Sequence, residues 1–142
     1  MKMKIAIVSI LFLFSWAEAS FSQVAVIAHK SAPVDKIKKT ELLDFYTGDI
    51  KKWSDGSNVI VKDLKPKGDV KRIFYKFLGK TPSRMKSIWL KSMLSGEGDP
   101  PEAMKSEEEM LQKIAATPGA IGFLSHTKVN NNVKTLIVIG KK

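Results

Sequence analysis

The segment Lys65-Pro66-Lys67-Gly68-Asp69-Val70-Lys71-Arg72 carries the best-placed polar groups in the chain. It lies between the end of an alternating apolar run and the start of an amphipathic one. At a helix start the first backbone N–H groups lack an intrahelical partner and the helix dipole is positive, so an anion can be held there. Gly68 would let a ligand approach the backbone, and the nearby Lys67, Lys71 and Arg72 add positive field. The candidate anion-binding residues are therefore Gly68, Asp69, Val70, Lys71 and Arg72. The same residues also describe a turn with solvated lysines, and the local pattern alone favours that simpler reading.

Enzyme chemistry has less to stand on. His29 and His126 are the only histidines, and neither has a second ligand or base at a diagnostic spacing. Cysteine is absent, which excludes thiolate nucleophiles, cysteine metal sites and disulfides. No nucleophile elbow, Walker loop or dinucleotide fingerprint occurs. The expectation is a non-enzymatic protein with neither cofactor nor metal.

The formal charge of the 142 residues is +10. Such a balance suits anionic partners, yet the lysines are scattered with no block of five or six, which favours a solvated surface. Phe74, Phe77 and Trp89 fall on apolar helical stripes and read as core rather than as base-stacking platforms. No nucleic-acid partner is expected.

The first residues read as an export signal. Lys2 and Lys4 precede an apolar run over residues 5–14, and Ala17-Glu18-Ala19 supplies the small residues of a cleavage site. The run is too short for a membrane span, which needs roughly 20 apolar residues. The division is thus residues 1–19 as a cleaved signal and 20–142 as one domain, exported and not inserted in the membrane. Removing two lysines and one glutamate with the signal leaves that domain at +9.

Within it the apolar period changes along the chain. Residues 24–28 are continuously apolar, as in a strand buried on both faces. Thr40 caps a helix with Leu42, Leu43 and Tyr46 inward, which Gly48 stops. After the Asp55-Gly56 turn, residues 58–61 alternate into a second strand. Val70, Ile73, Phe74, Phe77 and Leu78 mark a helix closed by Gly79. Thr81-Pro82 opens the next, with Met85, Ile88, Trp89, Ser92 and Met93 facing inward. Gly96, Gly98, Pro100 and Pro101 make a loop. Ser106 and Glu109 form a capping box, with Glu107 and Glu108 facing the positive end of a helix that buries Met110, Leu111, Ile114 and Ala115. Residues 120–124 and 133–139 are the last strands. The order β-α-β-α-α-α-β-β, with long helical crossovers, predicts a three-layer α/β domain around a parallel or mixed sheet.

Several of these pieces, in order, resemble periplasmic phosphate-binding proteins. Glu41-Leu42-Leu43-Asp44-Phe45-Tyr46-Thr47-Gly48 followed by Trp53-Ser54-Asp55-Gly56 is similar to that superfamily's aromatic-x-Gly and Trp-x-Asp-Gly signature. Phe74-Tyr75, Leu78-Gly79, Trp89 and residues 95–101 are similar to its short, stand-alone members. Thr117-Pro118-Gly119-Ala120-Ile121-Gly122-Phe123 resembles its Pro-Gly-Ala-Ile-Gly-Tyr segment, with Phe in place of Tyr.

The resemblance implies an α/β/α single lobe of the type 2 periplasmic-binding-protein fold over residues 20–142. It implies location in the periplasm, and binding of phosphate or a similar oxyanion for ABC transport beside a permease. In that superfamily a Ser-Gly-Thr-like turn opens the binding helix. The family's serine falls here on Gly68 and its arginine on Lys71, so a hydroxyl and a bidentate fork are both absent. Weak phosphate binding by the monomer follows, with tight capture needing a homodimer or a partner to supply the opposing wall. The alternative is a periplasmic interaction or sensory module, derived from the same lobe, that has lost its ligand and docks on a sensor protein.

Overall fold

A computed structural model of the protein describes residues 23–140; the export signal expected over 1–19 lies outside the described residues. Five strands form one mixed sheet in the order β3-β2-β4-β1-β5. Strand β1 (Val24–Ala28) is flanked by β4 (Ala120–Ser125) and β5 (Lys134–Ile139), antiparallel to both. Strand β2 (Ile60–Leu64) runs parallel to β4 on one side and to β3 (Glu102–Met104) on the other. All five residues of β1 are fully buried, which is why its apolar run is unbroken by polar alternation.

Helices cover both faces. Successive residues of a strand point to opposite sides, and β4 shows where each goes. Phe123 stacks on Phe74 of α2 (Asp69–Leu78), ring centroids 3.8 Å apart and planes within 5°. A Cβ added to Gly122, on the other side, would sit 2.5 Å from the Met110 sulfur of α4 (Glu107–Ala116). Glycine there lets the helix lie against the sheet. Helix α1 (Lys39–Thr47) joins the α2 layer through Tyr46, whose ring meets Phe74 edge-on at 4.8 Å. Helix α3 (Pro82–Leu94) is tied to it by Trp89, whose indole N–H donates to the Tyr46 carbonyl at 2.7 Å. The architecture is the expected three-layer α/β/α lobe.

The local signals set most helix ends. Thr81 Oγ1 accepts from the Arg84 N–H at 3.1 Å with Pro82 at the first helical position, and Gly79 closes α2 in the left-handed conformation. Ser106 accepts from the Glu109 N–H at 3.1 Å, while the Glu109 carboxylate reaches back to the Lys105 N–H, one residue before the reciprocal partner of a standard capping box.

Four expectations need correction. Helix α1 begins at Lys39 behind Lys38, with no side-chain cap, so Thr40 lies inside it. The second strand spans Ile60–Leu64 rather than 58–61, because pairing with β4 and β3, not local alternation, sets its register. Strand β3 follows the 96–101 loop directly; three residues are too few to show a period. Met93 is 46% exposed because the buried stripe of α3 reduces to Met85 and Trp89.

One turn locks two distant segments. The carbonyl of Gly119, a residue at φ 81°, accepts from the Trp53 indole N–H and from the Ile60 N–H, both at 3.0 Å. An added Cβ there would run into the Asn58 carbonyl oxygen. Gly119→Ala combines left-handed strain with overpacking and is expected to destabilise by about 2–4 kcal/mol. Urea unfolding of the variant beside the parent checks this through the shift in midpoint at constant slope.

Candidate functional site

The site is built from the C-terminal end of β2 and the helix that follows it. Strand β2 carries two charged residues into the protein, Lys62 and Asp63. Pairing with β3 sets Lys62 opposite Glu102, and the two side chains form an ion pair at 2.9 Å. Asp63 turns to the α1–α2 layer. Its Oδ1 accepts from the Tyr75 hydroxyl at 2.7 Å and its Oδ2 meets the Lys71 ammonium at 3.4 Å. Lys71 and Tyr75 are four residues apart, so one face of α2 supplies both partners.

This pairing has consequences for the phenols. Burial pushes the Tyr75 pKa well above the ordinary value of 10.0, and the Asp63 charge and hydrogen bond push the same way. Tyr46 is raised too, chiefly by burial and then by Asp63, while its hydroxyl donates to the Lys62 carbonyl at 2.8 Å.

Beyond the ion pair, β2 leads into Lys65 and the exposed turn that ends at Gly68. Gly68 is the N-cap of α2 and contributes no side-chain cap. The first helical amide bonded to a backbone carbonyl is that of Arg72, which donates to Gly68 at 3.0 Å. The amides of Asp69, Val70 and Lys71 therefore open the helix without intrahelical partners. Asp69 does not cap them: its carboxylate pairs with the Arg72 guanidinium at 2.7 Å, both side chains about two-thirds exposed.

The five residues singled out by sequence divide at this point. Lys71 enters an open cleft of about 470 Å³, shared with Asp63 and Lys65 from β2 and its exit and with Lys86 from α3. The remaining lining comes from α3 and from the segment entering β3: Trp89, Leu90, Met93, Pro100, Pro101 and Ala103. Arg72 points to the other flank of α2, into a separate depression shared with Lys39, Lys76 and Phe77. Asp63 and Lys86 escaped the sequence reading, and Lys65 stood there only as the start of the turn, because the cleft draws on β2, its exit and α3 together. The available signal was Asp63 itself, a carboxylate beside apolar residues in a strand, which must find a partner when buried.

The other candidates lie elsewhere. His29 follows β1, its Nδ1 2.8 Å from the Ser31 hydroxyl oxygen, while the His126 N–H bonds Gln23 just before β1. The two histidines are thus at opposite ends of one strand. Among the described residues no group of three His, Asp or Glu side chains could hold a metal ion. Trp53, Tyr46 and Trp89, which carried much of the family resemblance, spend their polar atoms on the backbone carbonyls of Gly119, Lys62 and Tyr46. They hold the lobe together. Glu107, at the start of α4, accepts from the Ser125 N–H at 2.6 Å and from Lys128 at 2.9 Å.

Helices thus cover both faces of the sheet, and from the first turn of α2 Lys71 reaches a cleft that also holds Lys65 and Lys86. No protein-family model and no curated protein sequence matches the chain. Solved structures match its fold. A Clostridium perfringens protein assigned as a phosphate ABC transporter substrate-binding protein, solved with bound phosphate, superposes with TM-score 0.68 at 18% identity, over 82% of this chain and 44% of its own. An ABC-type phosphate transport receptor from Vibrio cholerae gives 0.66 at 19% identity over 82% and 46%. PstS from Borrelia burgdorferi gives 0.59 at 15% identity over 82% and 47%. The fold is that of one lobe of these proteins, and the chain spans less than half the length of each. Among the described residues no helix is long and apolar enough to cross a membrane.

Unfolded tyrosines ionise near pH 10, whereas folded Tyr75 keeps its proton to higher pH. The folded state then binds more protons, so its stability is full below about pH 10 and falls as pH rises beyond it. Tyr75→Phe removes a hydrogen bond to a buried carboxylate and is expected to cost about 2 kcal/mol at neutral pH. It should also flatten the alkaline decline. Urea midpoints of both proteins from pH 7 to 11 test both effects.

Proposed function

We propose that this chain is an exported, non-enzymatic solute-binding lobe that takes phosphate or a similar oxyanion in the service of ABC transport. The observation that carries the reading is the open start of α2. The Asp69, Val70 and Lys71 amides have no intrahelical partner, Gly68 brings no competing side chain, and Lys71 projects into a cleft with two further lysines. An oxyanion there meets N–H donors, the helix dipole and ammonium charge together. The fold likeness to phosphate transport receptors supports the same reading. Arg72 lends long-range field from the far flank, because its guanidinium is engaged by Asp69.

The cleft is open, so a single lobe holds an anion weakly. Enclosure needs a facing surface, from a second copy or a partner such as a permease, and the +9 charge of residues 20–142 concentrates anions near the mouth. Titration of the purified protein with inorganic phosphate in a calorimeter is expected to give a dissociation constant of roughly millimolar order. Lys71→Met and Lys65→Gln are each expected to weaken it several-fold. No heat and no shift in melting temperature at ten millimolar phosphate would end this reading.

One observation favours a second reading, an interaction or sensory module built on the same lobe. Asp69 puts a carboxylate at the first helical position, where it opposes an incoming anion even when paired with Arg72. On this reading a membrane sensor or transporter subunit, rather than phosphate, is recovered with the protein from envelope extracts, and the recovery is indifferent to Lys71→Met.

A further inference from the structure

The cleft beside α2 is two-faced, and only one face suits an inorganic oxyanion. Lys65 stands at the β2–α2 side with Lys71, whose ammonium is paired with the Asp63 carboxylate, and Lys86 lies one turn before Leu90 on the same stripe of α3. The opposite wall offers no free side-chain hydrogen-bond donor. The Trp89 indole N–H is already given to the Tyr46 carbonyl, so the ring presents only carbon to the cleft. Pro100 and Pro101 have no backbone N–H. Leu90 and Met93, the remaining large wall residues, are 50% and 46% exposed.

Free phosphate carries acceptors on every side, so seating it against this wall would strip water from oxygens and replace it with nothing. An anion bearing an apolar substituent has no such penalty. Its head can meet the lysines while its body covers Trp89, Leu90 and Met93, removing from water apolar surface that the lobe otherwise leaves wet. A volume of about 470 Å³ accommodates a single aromatic ring with its anionic group.

We infer that this cleft binds an organic anion of the aryl or alkyl phosphate or carboxylate class, its head on Lys65 and Lys86 beside the Asp63-paired Lys71 and its apolar part on the Trp89–Leu90–Met93 wall. The inference rests on the oxyanion reading above only in placing negative charge beside Lys71.

Phenyl phosphate, inorganic phosphate and benzyl alcohol, titrated separately into the purified protein by calorimetry and tryptophan fluorescence, test it. Phenyl phosphate is expected to bind at least tenfold more tightly than either of the others. Leu90→Ser with Met93→Ser should lower its affinity roughly tenfold by removing apolar contact, and leave inorganic phosphate unchanged. Both positions are half-exposed; should the double variant melt early, Leu90→Ser alone carries the comparison. Lys86→Gln should weaken phenyl phosphate several-fold. Equal binding of phenyl and inorganic phosphate, or indifference to the wall substitutions, overturns the organic-anion inference and leaves the phosphate reading standing. Binding of phenyl phosphate without inorganic phosphate does the reverse. Benzyl alcohol binding as tightly as phenyl phosphate overturns the role of the lysines, and silence from all three overturns both readings.

Discussion

A carboxylate taken out of water must be met by charge or by hydrogen-bond donors, and Asp63 is taken out of water by its place in β2. Its two oxygens are met from one face of α2, by the Tyr75 hydroxyl and the Lys71 ammonium. That requirement sets the rotation of α2 about its own axis. With it come the stacking of Phe74 on Phe123, the direction of the open helix start, and the separation of Lys71 from Arg72 onto different flanks. Replacing the polar set by apolar residues could preserve a core, but the placement of Lys71 in the cleft would no longer be specified.

The second organising constraint is mechanical and runs through backbone carbonyls. Trp53 holds the Gly119 turn against the entry to β2, and Trp89 and Tyr46 tie α3, α1 and β2 in sequence. Each ring fills core volume and spends its one polar atom on a carbonyl that would otherwise need water. These aromatics are therefore structural, each one fixing the segment whose carbonyl it meets. The cleft that follows from them has a floor whose polar edge faces inward, which gives one wall its apolar character.

Much of the fold was legible along the chain because its causes are local. The unbroken run of β1, the Thr81-Pro82 and Ser106 helix starts, the Gly48 and Gly79 stops and the stripe of α2 all follow from nearest-neighbour chemistry, and the elements appear where those residues stand. The register of β2 and the existence of β3 were not legible. Both depend on hydrogen bonds to strands distant in sequence, which a short window cannot contain. The outward turn of Met93 was likewise invisible, since a helical stripe gives a direction but not how much partner surface lies opposite it.

The same boundary runs through the site. Sequence by itself located the start of α2, with Gly68 as its opening residue, because capping and dipole effects act over a single turn. It could not say that Lys71 would be drawn to Asp63 and Arg72 to Asp69. Adjacent helix residues point about 100° apart, and where each ends is decided by what the sheet brings beneath it. Nor could it assemble Lys65 and Lys86 with the Trp89 wall, since those residues meet only after α3 packs on α1 and β3 joins β2. The chain alone determined where the helix opens with free amides. The tertiary structure decided which cations and which apolar surface share a cleft with Lys71.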